Sequence, residues 1–272
     1  IYTGEDTLSL HDALPILLFK ILNSGDYLKE ISSEDLNAGS KKTLPKLAEK
    51  GLRYDLTVPF ARFVSMNRND LAFPFRRYQI QPVWRADRPQ KGRYREFYQC
   101  DADIIGSDSL INEAELISLF QSIFSSLSLK ANLLINSRKV LMGMVDSLGL
   151  QKQFVDFAVA LDKLDKVGWD AVVNELTDRG FSIQQCASIK SMVSFQGTNQ
   201  EKIAFLSTYF KDSEVGQQGL EEINSVLTLS ETNGFSNDNL IFEITLARGL
   251  SYYTGLIYEG KATDLAFGSI VG

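Results

Sequence analysis

A run of strict alternation between residues 75 and 105 constrains this chain more than any other feature. Tyr78, Ile80, Pro82 and Trp84 alternate with Gln79, Gln81, Val83 and Arg85, the period of two that a pleated strand imposes. Ala86-Asp87-Arg88-Pro89-Gln90-Lys91-Gly92 then breaks the pattern with proline and glycine, and strand character resumes at Arg93. Two strands joined by a short polar loop make an antiparallel hairpin. A regular pleat puts Arg93, Arg95, Phe97, Gln99, Asp101 and Asp103 on one face of the second strand. So many polar groups do not suit a core. That face either meets solvent or lines a ligand site, and Phe97 in its middle favours a site.

The same stretch concentrates charge. Arg76, Arg77, Arg85, Arg88, Lys91, Arg93 and Arg95 stand against Asp87 alone, seven to one, in a chain whose net charge is −6. Overall acidity argues against a generic nucleic-acid-binding module. Cations gathered in one short stretch point to a phosphate-bearing ligand, although a charge cluster taken alone is more commonly a solvated face. The single histidine, His11, excludes Ser-His-Asp and Cys-His triads and most zinc sites. Chemistry here has to be run by arginines, carboxylates, hydroxyls and a metal brought by substrate. Cys100 and Cys186 are too few for a disulfide framework. No apolar run approaches the roughly 20 residues that cross a bilayer, and no signal peptide opens the chain. No membrane partner and a cytoplasmic location are expected.

At 272 residues the chain can bury one large core, or one core and a smaller appended domain. Residues 1–16 have no period and join abruptly to a patterned segment, so they read as an N-terminal segment of doubtful origin. An apolar segment at 17–28 ends in the turn signal Asn23-Ser24-Gly25-Asp26. Residues 32–43 read as a surface loop, 52–56 as a strand, and 58–66 as a helix with Pro59 in its first turn. A helix is expected at 112–127, with Ala114, Ile117, Phe120, Gln121 and Phe124 near helical spacing, and a strand at 133–135. From 150 to 239 the texture is helical: Trp169, Val172, Val173 and Leu176 recur at helical intervals, as do Leu220, Ile223 and Leu227. Gly180 and Gly234 stand where stops belong. Strands return at 240–246 and 256–259. The domains expected are 17–149 and 240–272, with 150–239 as a helical unit between them.

Three segments together resemble the histidyl-tRNA synthetase family of class II aminoacyl-tRNA synthetases. Leu52-Arg53-Tyr54-Asp55-Leu56-Thr57-Val58-Pro59 is the first. The second runs from Trp84-Arg85-Ala86-Asp87-Arg88-Pro89-Gln90-Lys91-Gly92-Arg93 through Phe97-Tyr98-Gln99-Cys100-Asp101-Ala102-Asp103, similar to the motif 2 hairpin in this family's form. The third, Arg248-Gly249-Leu250-Ser251-Tyr252-Tyr253-Thr254-Gly255, is similar to its histidine-binding signature. The resemblance implies an α+β fold: an antiparallel catalytic sheet of six or seven strands flanked by helices, with an all-α insertion. It also implies that motif 1, motif 3 and the anticodon-binding domain lie outside these residues, leaving the chain by itself feebly active at best.

The function implied is activation of L-histidine by ATP, with Mg2+, and transfer to tRNA(His) by a homodimeric ligase. The attacking carboxylate is already ionised, so the reaction needs alignment and cation density rather than a general base. On the resemblance, Arg85 grips the α-phosphate, Arg88 and Arg93 contact the outer phosphates, and Asp87 stands near the adenine. Arg248 is a second catalytic arginine placed opposite; without its flanking signature it would read as a structural salt bridge. Asp55, Thr57 and Gln99 match the acceptors of the α-ammonium group, with Asp55 shortened from the glutamate many members carry. Asp103 and Tyr253 fit the imidazole, and Tyr252 and Arg248 complete the histidine-binding set. Ser251 departs from the family's aspartate. The rival reading is a synthetase-like regulatory paralogue that binds histidine without adenylating it. Such paralogues typically lose the motif 2 arginines or the Arg-Gly-Leu signature, and both are present here.

Overall fold

The elements follow from local signals in the computed structural model, which describes residues 18–89, 92–232, 239–248, 253–263 and 269–271. The chain divides into two units, Ile1–Ser107 and Asp108–Gly272. Residues 1–16 lie outside the described residues.

In the first unit β1 (Lys20–Ile21) pairs antiparallel with β2 (Lys50–Gly51). Between them lie α1 (Ser33–Asn37) and α2 (Ser40–Leu47), where a surface loop was expected. The difference comes from a capping box. Ser32 Oγ accepts from Asp35 N at 3.1 Å while the Asp35 carboxylate accepts from Ser32 N at 2.9 Å. Asp35 also meets Lys46 at 2.7 Å, tying α2 back to α1.

The expected strand at 52–56 does not form either. Trp84 N donates to Arg53 O at 2.9 Å, and the chain then turns into α3 (Thr57–Met66), where Asp55 Oδ1 accepts from Val58 N at 3.2 Å. A carboxylate that takes a first-turn N–H starts a helix and ends extension. The hairpin is as expected. β3 (Phe75–Trp84) and β4 (Glu96–Ile105) pair in unbroken register from Phe75↔Ile105 to Trp84↔Glu96.

The second unit begins with α4 (Ile111–Ser126), β5 (Ala131–Ser137) and α5 (Arg138–Asp146). A helical run follows: α6 (Phe154–Leu161), α7 (Leu164–Asp178), α8 (Ile183–Val193), α9 (Asn199–Tyr209) and α10 (Glu214–Thr232). Ser182 and Thr198 open α8 and α9 with capping boxes. Gly180, at φ +92°, stands just past the end of α7, in the left-handed conformation that glycine adopts at least cost. The other expected stop, Gly234, lies outside the described residues. The chain ends in β6 (Leu240–Phe242), β7 (Leu256–Ala262) and β8 (Ser269–Val271).

These strands form a sheet in the order β6-β5-β7-β8, with only β5–β6 parallel. A parallel pair needs a crossover, and α5 to α10 supply it. β6 stops short of the expected 246 because Glu243 Oε1 accepts from Thr245 N at 3.1 Å and Oγ1 at 2.6 Å, closing a turn. Ile117, Ile135, Leu141, Phe157, Leu176, Ile189, Phe210, Ile223 and Phe242 belong to one buried cluster. Sheet and helices therefore share a core. No described helix is long and apolar enough to cross a membrane.

The α5–α10 contact depends on glycine. A Cβ on Gly143 would lie 2.5 Å from the Gly216 Cα, and one on Gly219 would lie 2.7 Å from the Val140 backbone nitrogen. No rotamer relieves a clash with backbone. Gly143→Ala should therefore destabilise the chain by about 1–3 kcal/mol, as overpacking does, despite alanine's better helix propensity. The midpoint of urea unfolding measures this, and an unchanged midpoint would mean that the two helices separate freely.

Candidate active site

Antiparallel register decides which side chains meet on the hairpin. Arg77 is opposite Asp103, Gln79 opposite Asp101, Gln81 opposite Gln99, and Val83 opposite Phe97. In β4 burial alternates from Glu96 to Cys100, with Phe97 and Gln99 on the covered side; Asp101 and Asp103 share that parity. Arg93 and Arg95 were expected on this face. Both precede the strand and are exposed, and Arg95 Nε donates instead to Asp87 O across the loop at 3.1 Å. Tyr78, Ile80 and Tyr98 on the reverse face are 80%, 58% and 69% exposed.

The segment leading into α3 lies along the covered face. Arg53 bonds Gln81, and Gln79 Nε2 donates to Gln81 Oε1 at 3.1 Å. Arg77 bonds Gln79, donates to Leu56 O at 3.3 Å, stacks 4.0 Å over Phe60, and meets Asp103 Oδ2 at 2.8 Å. Arg85 is held by its Nε bond to Tyr54 O at 3.1 Å, with its guanidinium 4.4 Å from the Tyr54 ring and 5.1 Å from Phe97. Asp55 accepts from Val58 N in the first turn of α3, whose N-cap is Leu56 and whose first residue is Thr57. Asp87 and Arg88 sit in the connecting loop, half-buried and exposed respectively.

Burial strips water from both strand carboxyls and pushes them above the usual range. For Asp101 the Asp103 charge adds to that rise, while Arg77 and Arg85 oppose it. For Asp103 only Arg77 works against burial. Gln99 Oε1 is buried and has no hydrogen-bond partner among the described residues. A buried acceptor without a donor is costly, and a ligand N–H in its place removes the cost.

In the second unit Arg248 follows the Glu243 turn. Asn136, fully buried on β5, donates to Ile244 O at 3.0 Å and Leu246 O at 2.9 Å and so fixes the approach to Arg248. Arg248 Nη1 lies 2.9 Å from Glu259 Oε1 on β7, with side chains 58% and 10% exposed. Both line a cavity of about 290 Å3 with Glu243, Asp165 and Lys261. Tyr253 is partly exposed and its carbonyl accepts from Arg138 at 3.3 Å. Tyr252 and Ser251 lie outside the described residues.

Among the expected residues, the hairpin thus brings Arg85, Gln99 and Asp103 onto or beside one polar face. Arg248 and Tyr253 belong to the other unit. Sequence reading missed Arg77 and Glu259 as partners of expected residues. Arg77 was legible in principle, because a hairpin closing at Trp84↔Glu96 must set residue 77 against residue 103. Glu259 carried no local signal.

Solved structures share the fold. The chain matches a histidyl-tRNA synthetase from Nostoc sp. PCC 7120 with a TM-score of 0.71 and 33% identity, covering 77% of this chain and 49% of that one. An ATP phosphoribosyltransferase regulatory subunit/histidyl-tRNA synthetase from Bacillus halodurans matches at TM-score 0.75 and 21% identity, covering 98% and 63%, a likeness of fold alone. This is the α+β fold of the class II aminoacyl-tRNA synthetases. The histidyl-tRNA synthetase family profile matches residues 28–266. Histidine–tRNA ligases from Bacteroides fragilis YCH46 and Cytophaga hutchinsonii are 52% and 49% identical over 94% of this chain. The chain belongs to the histidyl-tRNA synthetase family. It spans 56% and 57% of the length of those two relatives.

The raised Asp101 carboxyl has a consequence for stability. Its folded pKa lies above its unfolded value, so its contribution is full below the unfolded pKa and is lost as pH rises through the folded one. Asp101→Asn does not titrate. Its melting temperature relative to the wild type should therefore increase as pH rises across the span from the ordinary aspartate range through the raised folded value. A flat difference across that span would contradict the burial effect.

Proposed function

We propose that this chain carries the catalytic centre of a histidine–tRNA ligase. The histidine carboxylate attacks the α-phosphorus of ATP, pyrophosphate leaves, and the histidyl group then passes to tRNA(His). The observation that carries this reading is the polar hairpin face, with its unpartnered Gln99 Oε1 beside carboxylates and an oriented arginine. An α-ammonium group supplies the N–H donors that Gln99 Oε1 lacks, with Asp55 and Thr57 nearby on the chain as further acceptors. Asp103 reads the imidazole N–H, and Tyr252 and Tyr253 belong to the histidine-binding set that the family resemblance implies.

Arg85 binds the α-phosphate. Its guanidinium is already fixed by Tyr54 and Phe97, so little reorganisation accompanies phosphate binding. Arg88 and Arg93, exposed at the loop, take the outer phosphates, and Asp87 the adenine side. ATP enters with Mg2+ on its phosphates. Arg248, oriented by Glu259, supplies a second cation as charge builds in the transition state. The helical residues 150–239 form an insertion between catalytic segments 17–149 and 240–272, and homodimeric assembly and a cytoplasmic location belong to the same proposal. Retention of Arg85, Arg93, Arg248 and Tyr253 disfavours the regulatory-paralogue reading.

In a chain extended to the length of its relatives, histidine alone among amino acids should drive ATP–pyrophosphate exchange. Arg248→Ala should lower kcat for adenylation by about 10²-fold or more with smaller changes in KM, as loss of a preorganised charge donor does. Arg248→Lys should restore only part, since a point charge cannot bridge two oxygens. Histidine binding without any exchange would favour the regulatory reading, and a normal rate in the Ala variant would reduce Arg248 to a structural ion pair.

A further inference from the structure

Arg77 has no part in the chemistry above, yet it is the most constrained cation on the hairpin. We propose that Arg77 is a specificity-determining positioning residue, holding Asp103 in place as the charged acceptor that distinguishes an imidazole N–H from other side chains. The proposal rests on the reading of Asp103 as the residue that meets imidazole.

Four observations support it. The strand register sets Arg77 directly opposite Asp103. The two side chains are 11% and 28% exposed and 2.8 Å apart, an ion pair withdrawn from most of the solvent. Arg77 is held from its other sides as well, by Gln79, the Leu56 carbonyl and the Phe60 ring. Gln79 is braced in turn through Gln81 by Arg53, so the chain of bonds reaches back to the segment that carries Asp55. An exposed arginine serving solubility would need none of this. Nor does the arrangement suit phosphate binding, since Arg77 already faces a carboxylate.

The electrostatics give the arrangement its purpose. Among the described residues, Asp101 faces Asp103 on β4, Arg77 on β3, and Asp55 and Arg85 stand near Asp101. Burial favours a protonated Asp103, and a protonated carboxyl is a poor acceptor for an N–H. Arg77 is the cation that opposes burial. A site built to accept an N–H rejects an isostere that lacks one far better than a merely apolar pocket does.

The test uses the full chain and calorimetric binding of L-histidine, of β-(2-thienyl)alanine, which has no ring N–H, and of ATP. The wild type should bind histidine and discriminate against the thienyl analogue. Arg77→Gln should weaken histidine by about tenfold or more near neutral pH, the usual effect of losing a charged buried partner. Its acid limb of histidine binding should move to higher pH, its preference over the thienyl analogue should shrink, and ATP binding should stay within about twofold. Arg77→Lys, which keeps the charge and loses the fork, should leave the acid limb in place and recover part of the affinity. If the Gln variant fails to fold by circular dichroism, the Lys variant decides: a several-fold loss for histidine alone supports the assignment, and wild-type binding overturns it. A wild-type chain that binds no histidine overturns the synthetase reading and this inference together. A wild-type chain that binds histidine, with Arg77→Gln binding equally or losing histidine and ATP alike, overturns the role of Arg77 only.

Discussion

The register of β3 on β4 is the constraint on which the first unit depends. A slip of one residue would turn one strand over against the other, so that either Arg77, Gln79 and Gln81 or Gln99, Asp101 and Asp103 would leave the covered face, and Tyr78 and Ile80, or Tyr98, would enter it. Simple hydrophobic burial favours the slipped arrangement, because the apolar side chains now stand exposed. The observed register survives because its polar groups find one another. Arg77 bridges Asp103, Gln79 and the Leu56 carbonyl, while Arg53 reaches Gln81. Even with Gln99 Oε1 left without a donor among the described residues, these pairings favour the observed register over the slipped one.

That network also sorts the cations of the hairpin. Read as a string, Arg76 to Arg95 is a basic patch of uniform character. In the folded unit Arg77 is committed to a carboxylate, Arg85 is braced against two aromatic rings, and Arg88 and Arg93 are exposed at the loop. The three environments suit different tasks: fixing an acceptor, presenting a rigid fork to one phosphate, and meeting phosphates that arrive from solvent. Guanidinium is suited to all three because its plane stacks on rings while its edges donate.

Much of this architecture is written in periodicity, and its limits are physical. The hairpin, α3, α4 and the helical run were legible because alternation and helical spacing report burial over many residues. Residues 32–43 were misread because composition says loop, while the reciprocal bonds of Ser32 and Asp35 fold two short helices. The 52–56 stretch has strand-like residues, but Asp55 takes a first-turn N–H of α3 there. β6 ends early for a similar reason, the Glu243 turn. In each case a side chain captured a backbone N–H, a local competition that hydrophobic pattern does not register. The polar face that carries Gln99 and Asp103 was legible from alternation, whereas Arg77 and Glu259 are partners supplied by pairing across strands and loops.

The Arg248–Glu259 pair shows why such partners escape a linear reading. Arg248 lies on a turn whose course is set by Asn136, more than a hundred residues earlier, through bonds to two carbonyls of the turn. Its counter-charge stands on β7, which reaches that place by pairing antiparallel with β5, the strand that carries Asn136. A single strand thus positions both the arginine's turn and the arginine's partner. The long helical crossover between β5 and β6 packs into the same core, so the turn is referenced to a rigid body rather than to its neighbours in sequence. An exposed guanidinium gains a defined direction from a nearly buried carboxylate only if both are fixed in one frame. Here β5 is that frame, which makes the buried amide of Asn136 as much a condition of the Arg248–Glu259 pair as the two charges themselves.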